Sequence, residues 1–394
     1  MHTLFNVGCK LNQYEGFCLL KKFAHRRNVI IVNTCCVTKE AEIKSLKKYR
    51  HALRSFPPQH IVVTGCLCQL HPEKFSQAHD VIDNVQRNKL IHGIFPAPKK
   101  SRYFLKIEDG CHSECTFCIV PKVRDSIVSK SYREVAHEIN WAVSCGYQEV
   151  VLVGANIGLY GADRGARLID LLKMLKHIHN LPRVRLSSIE PLFINAELLR
   201  TLKELPHCRH FHIPIQSGDN SILARMGRKY DVEFLKQVLA LINEYFDDVM
   251  IGGDVIVGFP GEDEREFQNT YDFIDASPLS HLHIFPYSPR PGTVAYDFGD
   301  PVSHEQKKER LWVLKRLMKK KNYRFRMGLQ NKIFDTVVEK IDGSDERRFF
   351  TGLTDNYVRV MVQSACEGQR LQNIKITQVT DDETRGVVVG ADCR

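Results

Sequence analysis

Apolar residues in the first 95 positions fall in short dense runs between polar stretches. "NVIIVNTCC" (28–36) and "HIVVTGCLC" (60–68) have the β-branched density of strands buried on both faces, and "TLFNVGC" (3–9) is a shorter run of the same kind. Each run ends in a cysteine: Cys9, Cys35 and Cys66. In an open parallel sheet the loops after the strands gather along one edge, so these thiols are expected to converge. The stretches between the runs are potentially helical, though the short segment between "NQYE" and "NTCC" leaves less room for a helix, and "IFPAPKKS" (94–101) reads as a linker.

From 102 to about 300 the pattern alternates. Strand-like runs at 103–107, 149–154, 183–188, 209–214, 251–259 and 281–286 are separated by helical stretches such as "YREVAHEINWAVSCG" and "VEFLKQVLALINEYF". Six βα units predict a curved parallel sheet, a partial barrel or a doubly wound sheet, with chemistry at the C-terminal strand ends. A helix is expected from Ser303 to about Met327, because Ser303 and Gln306 have capping-box spacing. The remainder, 329–394, carries short strands with turn residues between them and predicts a small antiparallel barrel of a kind used to bind RNA. The expected divisions are therefore 1–95, 102–300, a linking helix over 301–328, and 329–394.

Composition narrows the function. Thirteen cysteines in 394 residues, an odd number, fit metal or redox chemistry in a reducing compartment better than disulfides. There is no apolar run of membrane-spanning length and no signal-like start, so a cytoplasmic protein without membrane attachment is expected. The formal charge of +10 favours a polyanionic partner such as nucleic acid.

The sharpest motif is "GCHSECTFCIVPKVR" (110–124), which places Cys111, Cys115 and Cys118 four residues beyond a strand. Three thiolates suit a 4Fe-4S cluster with one iron left open, and Phe117 is placed to shield it. A zinc ion with a distant fourth ligand is the alternative.

"C-x-x-x-C-x-F-C" after the first strand of a six-unit α/β domain resembles the radical S-adenosylmethionine (radical SAM) enzymes, where the cofactor's amino and carboxylate groups fill the open iron position. "GCKLNQYE" (8–15), "NTCCVT" (33–38), "VVTGC" (62–66), "HIPIQSGDNSILARMGRKY" (212–230) and "DVIVGFPGE" (254–262) extend the likeness to the methylthiotransferases. "GCKLNQYE", "NIGLYG" and "RMGRKY" resemble most the branch acting on threonylcarbamoyladenosine in tRNA.

That resemblance implies an α/β fold: an N-terminal open parallel domain, a radical SAM partial (β/α)6 barrel and a C-terminal RNA-binding TRAM barrel, OB-like. It implies two 4Fe-4S clusters, one on Cys111, Cys115 and Cys118 and an auxiliary one on Cys9, Cys35 and Cys66. The implied reaction inserts a methylthio group at C2 of the modified adenosine at position 37. One S-adenosylmethionine methylates a sulfur at the auxiliary cluster, and a second supplies the radical. Phe117, Asn156, Glu190 and Gln216 are expected at the cofactor; Asn156 stands where many members of the superfamily carry a carboxylate. Arg225, Arg228 and Lys229 are expected at the substrate, and Lys319, Lys320, Lys321, Arg324 and Arg326 on RNA. Implied partners are tRNA and an electron donor such as a flavodoxin or ferredoxin, with the sulfur donor left open. The same chemistry on isopentenyladenosine tRNA or on a ribosomal protein, and a non-catalytic metal-dependent RNA-binding protein, are the alternatives.

Cys36 and Cys68 read either as ligands or as small loop residues, whereas Cys18, Cys145, Cys208, Cys366 and Cys393 read as packed small hydrophobes. Arg124 is followed by Asp125 where the family has glycine, which is expected to alter the path of the loop.

Overall fold

The computed structural model describes residues 2–96, 98, 101–342, 349–363 and 371–390. Cys366 and Cys393, and part of the 94–101 linker, lie outside these. No helix among the described residues is long and apolar enough to cross a membrane.

The first three apolar runs become β1 (Thr3–Asn6), β2 (Ile30–Thr34) and β3 (Ile61–Gly65), and a two-residue β4 (Asp80–Val81) completes a parallel sheet in sequential order. The expectation of less room for a helix near "NQYE" is corrected. A helix starts directly after Cys9 and spans Lys10–Lys22, carrying that motif inside it. Its Leu11, Tyr14, Cys18 and Leu19 pack against Ile31 and Val62.

All six predicted core strands form: β5 (Tyr103–Lys106), β8 (Glu149–Val153), β9 (Arg183–Leu186), β10 (His210–Gln216), β11 (Met250–Val257) and β12 (Leu279–Pro286). A short ribbon, β6 (Glu108–Asp109) with β7 (Val128–Ser129), brackets the three-cysteine loop. Strands β5-β8-β9 and β10-β11-β12 form two parallel three-stranded sheets. Bridges at Val184–His207 and Ser188–His212 join them, so the six strands curve in chain order into a partial barrel. Alternate residues such as Leu105, Leu152, Leu186, Ile213, Val255 and Ile284 pack outward into the helix-side core. On the concave side, Phe104, Val151 and Val153 pack instead against the Lys10–Lys22 helix.

Local signals set the helix starts. Ser131 with Glu134, Asp263 with Glu266 and Ser303 with Gln306 all form capping boxes. The last begins the helix His304–Met327, close to its predicted limits.

The C-terminal strands β13 (Ile333–Asp342), β14 (Phe349–Thr354), β15 (Arg359–Gln363), β16 (Leu371–Val379) and β17 (Thr384–Val388) close a barrel in the order β13-β14-β15-β17-β16. Four of its pairings are antiparallel; β15 with β17 is parallel. Arg183 and Arg185 anchor this barrel to the core. They donate to the carbonyls of Asp335, Leu353, Thr354 and Asp355 while sharing the buried Glu149 carboxylate.

Candidate active site

Strand geometry presents the cysteines. Gly65 and Gly110, each just before a cysteine, have φ of +97°, a left-handed conformation that side chains rarely adopt. A Cβ on Gly110 would collide with the Ser126 carbonyl. Gly8 is also tightly hemmed, because a Cβ there would lie 3.0 Å from Cys35 Cβ and 3.1 Å from its Sγ. The tight turns thus aim Cys9, Cys66 and Cys111 off their strand ends.

Cys9, Cys35 and Cys66 converge as predicted. Burial, then the neighbouring Cys66 and Cys9 thiols, push Cys35 up to about 12. Likewise burial, with Cys115 and Cys111 nearby, pushes Cys118 up to about 12. Thiolates in such positions need a cation. A single zinc requires sulfurs about 3.8 Å apart, from Zn–S bonds of about 2.3 Å. In neither triad do all three ligand atoms lie within 4.8 Å of one another. That wider spacing does not close on one zinc ion, and three soft thiolates are donors suited to iron–sulfur ligation, which both donor sets fit.

Cys68 instead points into the core, its thiol directed at the Val63 and Ile82 carbonyls, and Cys36 is fully buried beside Tyr49 and Ile30. Cys18 and Cys208 are buried as expected, but Cys145 is corrected: it caps a helix at the surface.

A buried ion network that sequence reasoning missed lies between the triads. Arg124 donates to Glu15 Oε1 and Oε2 at 2.9 and 2.8 Å, to Asp109 Oδ1 at 2.6 Å and to Asn12 Oδ1 at 2.9 Å. Lys106 reaches Glu15 at 2.8 Å and Asp109 at 2.7 Å, and Arg87 reaches Glu15 at 2.8 Å. Three cations thus face two carboxylates, a surplus of one positive charge. Arg124 directs part of it at the exposed Cys9 and the buried Cys35, where it favours the thiolate of each. Asn12 also donates to the carbonyls of Val7 and Thr34, tying the helix to two of the cysteine-bearing strand ends. The one available signal was polar Asn12 and Glu15 on the face that carries buried Leu11 and Tyr14. The Asp125 side chain is exposed, and the Arg124 carbonyl before it accepts from Cys111 N at 3.0 Å.

A cavity of about 220 Å³ opens beside Cys115 and is lined by Asn156, Glu190, Phe193, Arg228 and Tyr230 among others. Asn156 and Glu190 therefore line the open space beside the three-cysteine loop. Gln216 sits at a bulge ending β10 with φ of +69° and is not among the lining residues. Phe117 packs edge-on to Phe259, centroids 6.4 Å apart, anchoring the cysteine loop to the core.

The residues expected at the substrate are bonded within the chain. Arg228 donates to Cys115 Sγ at 2.9 Å and to Tyr230 at 2.8 Å and pairs with Glu190, and with Lys229 it lines the cavity beside Cys115. Arg225 donates to the Pro260 carbonyl at 3.0 Å, and exposed Lys229 pairs with Glu114 at 2.9 Å. Of the five basic residues expected on RNA, Arg326 is buried, bonded to Asp381, Glu383 and Thr384, and Lys321 donates to the Asp275 and Ser277 carbonyls. Both fasten structure together. Lys319 pairs with Asp382 at 3.0 Å, while Lys320 and Arg324 are exposed.

Glu108 is a further residue not foreseen. It is fully buried, Oε2 accepting from Asn156 N at 2.9 Å and Oε1 without a partner, and burial raises its carboxyl to about 8.

A three-cysteine loop beyond the first strand of a partial α/β barrel, with a polar cavity at its edge, defines a radical SAM enzyme. Residues 105–274 match the radical SAM superfamily, and residues 2–86 match uncharacterized protein family UPF0004. The chain is 34% identical to the threonylcarbamoyladenosine tRNA methylthiotransferase MtaB of Bacillus subtilis, over 91% of this chain and 89% of that one. It is 31% identical to the Thermotoga maritima MtaB, over 97% and 94%. In fold it is similar to the radical S-adenosylmethionine methyltransferase TsrM of Kitasatospora setae, with a TM-score of 0.52 at 12% identity, covering 75% of this chain and 76% of that one. The chain belongs to the threonylcarbamoyladenosine tRNA methylthiotransferase family.

Proposed function

We propose that this protein replaces the C2 hydrogen of N6-threonylcarbamoyladenosine in tRNA with a methylthio group, using S-adenosylmethionine and two 4Fe-4S clusters. The observation that carries this reading is the pair of cysteine triads joined through one buried ion network. The identity of the RNA substrate is supported by the names of the relatives.

Cys111, Cys115 and Cys118 would hold the cofactor-binding cluster, and Cys9, Cys35 and Cys66 the auxiliary one. When bound, the cluster and S-adenosylmethionine supply one-electron chemistry able to break an unactivated C–H bond. Such chemistry is required because an aromatic C–H is too weak an acid for a general base. The chain's own residues do the positioning. Arg228 braces Cys115 against Glu190, and Asn156 and Glu190 offer polar contacts to the cofactor. The cationic surplus of Arg124, Lys106 and Arg87 offsets the negative charge of the auxiliary thiolates. The barrel with exposed Lys320 and Arg324 would contact RNA phosphates, and a flavodoxin or ferredoxin would deliver the electron.

Mass spectrometry of tRNA nucleosides from a strain lacking the gene tests the proposal. The 2-methylthio form of N6-threonylcarbamoyladenosine should vanish, its unthiolated precursor accumulate, and complementation restore it. Loss of the 2-methylthio isopentenyl nucleoside instead would overturn the substrate assignment.

A further inference from the structure

The concave face of the β10-β11-β12 sheet carries a cluster that the proposed chemistry does not use. In the ladder register, His212, Gly252 and His281 form one row, and Pro214, Asp254 and His283 form the next. These side chains share one face because the alternate residues Ile213, Val255, Leu282 and Ile284 point into the helix-side core. Asp254 reaches both neighbours, Oδ2 lying 3.0 Å from His212 Nε2 and Oδ1 3.2 Å from His283 Nδ1. The three ligand atoms all lie within 4.8 Å of one another. Gly252 keeps the gap between the histidines clear, since a Cβ there would come 2.8 Å from the His281 carbonyl.

We propose that His212 Nε2, the Asp254 carboxylate and His283 Nδ1 form a binding site for a divalent transition-metal cation of the zinc class, separate from both iron–sulfur sites.

Two imidazole nitrogens and a carboxylate oxygen are the donor set of borderline divalent ions, whereas hard cations prefer oxygen alone. Bonds of about 2.0–2.2 Å to such an ion set ligand atoms about 3–3.5 Å apart, so the two measured contacts need little movement to close on a cation. His281 supplies the outer contact: its Nε2 lies 3.3 Å from His283 Nε2. A hydrogen bond donated there by His283 Nε2 would leave Nδ1 free to ligate once a cation sits between it and Asp254. Three protein donors leave coordination positions open on the concave face, to be filled by water or by an oxygen or nitrogen ligand.

The test uses anaerobically reconstituted holoenzyme, with its thiols already occupied by iron, stripped of loose metal and equilibrated with zinc alone. Zinc is counted by mass spectrometry of the metals. The expected result is about one zinc per chain in the wild type, with affinity lowered at least about 100-fold in Asp254→Asn and His283→Gln and about 10-fold in His281→Ala, iron and sulfide unchanged. In parallel, zinc-edge X-ray absorption of the wild type should show nitrogen and oxygen neighbours only. Absence of zinc uptake by the wild type, sulfur in its zinc shell, or undiminished zinc in variants that retain their iron would each overturn the proposal.

Discussion

Replacing Arg124 with alanine probes the junction of the two cysteine triads. The substitution removes four hydrogen bonds of 2.6–2.9 Å to Glu15, Asp109 and Asn12. It also turns a site of three cations and two carboxylates into one of two and two. Lys106 and Arg87 still reach Glu15, so the carboxylates are not abandoned, but each loses its closest or its paired contact in a site closed to water. Breaking a buried pair from one side costs about 3–5 kcal/mol. At about 2–4 °C per kcal/mol for a unit of this size, the melting temperature should fall by about 6–20 °C. Acidity provides an independent measure. Burial raises the Glu15 carboxyl, but Arg124, Arg87 and Lys106 outweigh it and hold the group at about 2. A depressed carboxyl stabilises the fold above its unfolded pKa of about 4.5, and that contribution is lost as pH falls towards 2. The shift corresponds to roughly 3 kcal/mol, in line with the figure for the broken pair. Calorimetry of wild type and Arg124→Ala at pH 7 and pH 4, with iron counted in each, is the assay. The variant should melt lower at pH 7, the gap should narrow at pH 4, and iron should be lost from the N-terminal thiols. A variant melting within about 1 °C of wild type with full iron would refute the role given to the network.

Gly110→Ala should abolish iron at Cys111, Cys115 and Cys118, since its Cβ collides with the Ser126 carbonyl at a φ of +97°; iron analysis and the visible spectrum check this. Glu108, raised to about 8 by burial, destabilises the fold as pH rises from about 4.5 to about 8, because the unfolded chain ionises first. Glu108→Gln should flatten that decline, and pH-dependent melting curves with equal slopes would contradict it. Replacing exposed Lys320 and Arg324 with alanine should lower the salt slope of tRNA binding by about two, whereas Lys321→Ala should chiefly lower stability; titrations across salt concentrations separate these outcomes.

Much of the architecture was legible because its signals are local. β-branched runs gave the parallel strands, Ser303 with Gln306 gave the start of the long helix, and a cysteine at the end of each N-terminal run marked the converging thiols. What escaped depends on tertiary partners. Glu15, Arg87, Lys106, Asp109 and Arg124 look like surface residues in a linear pattern, yet they neutralise one another in the interior. The same limit misled the reading of basic residues. Arg228, Lys321 and Arg326 carry the charge expected at a substrate or RNA surface, but each is bound to acceptors from distant segments. The helix over Lys10–Lys22 was only weakly marked because it begins directly after Cys9, with no intervening loop or acidic first turn to announce it.

The central claim is that two clusters on separate sheets divide the chemistry. Its most direct measurement is a variant with Cys9, Cys35 and Cys66 all changed to alanine, reconstituted anaerobically and assayed for iron, cofactor cleavage and methylthiolated tRNA. Iron should fall from about eight to about four per chain, reductive cleavage of S-adenosylmethionine should persist on Cys111, Cys115 and Cys118, and no methylthio product should form. Unchanged iron together with continued methylthiolation would contradict the account.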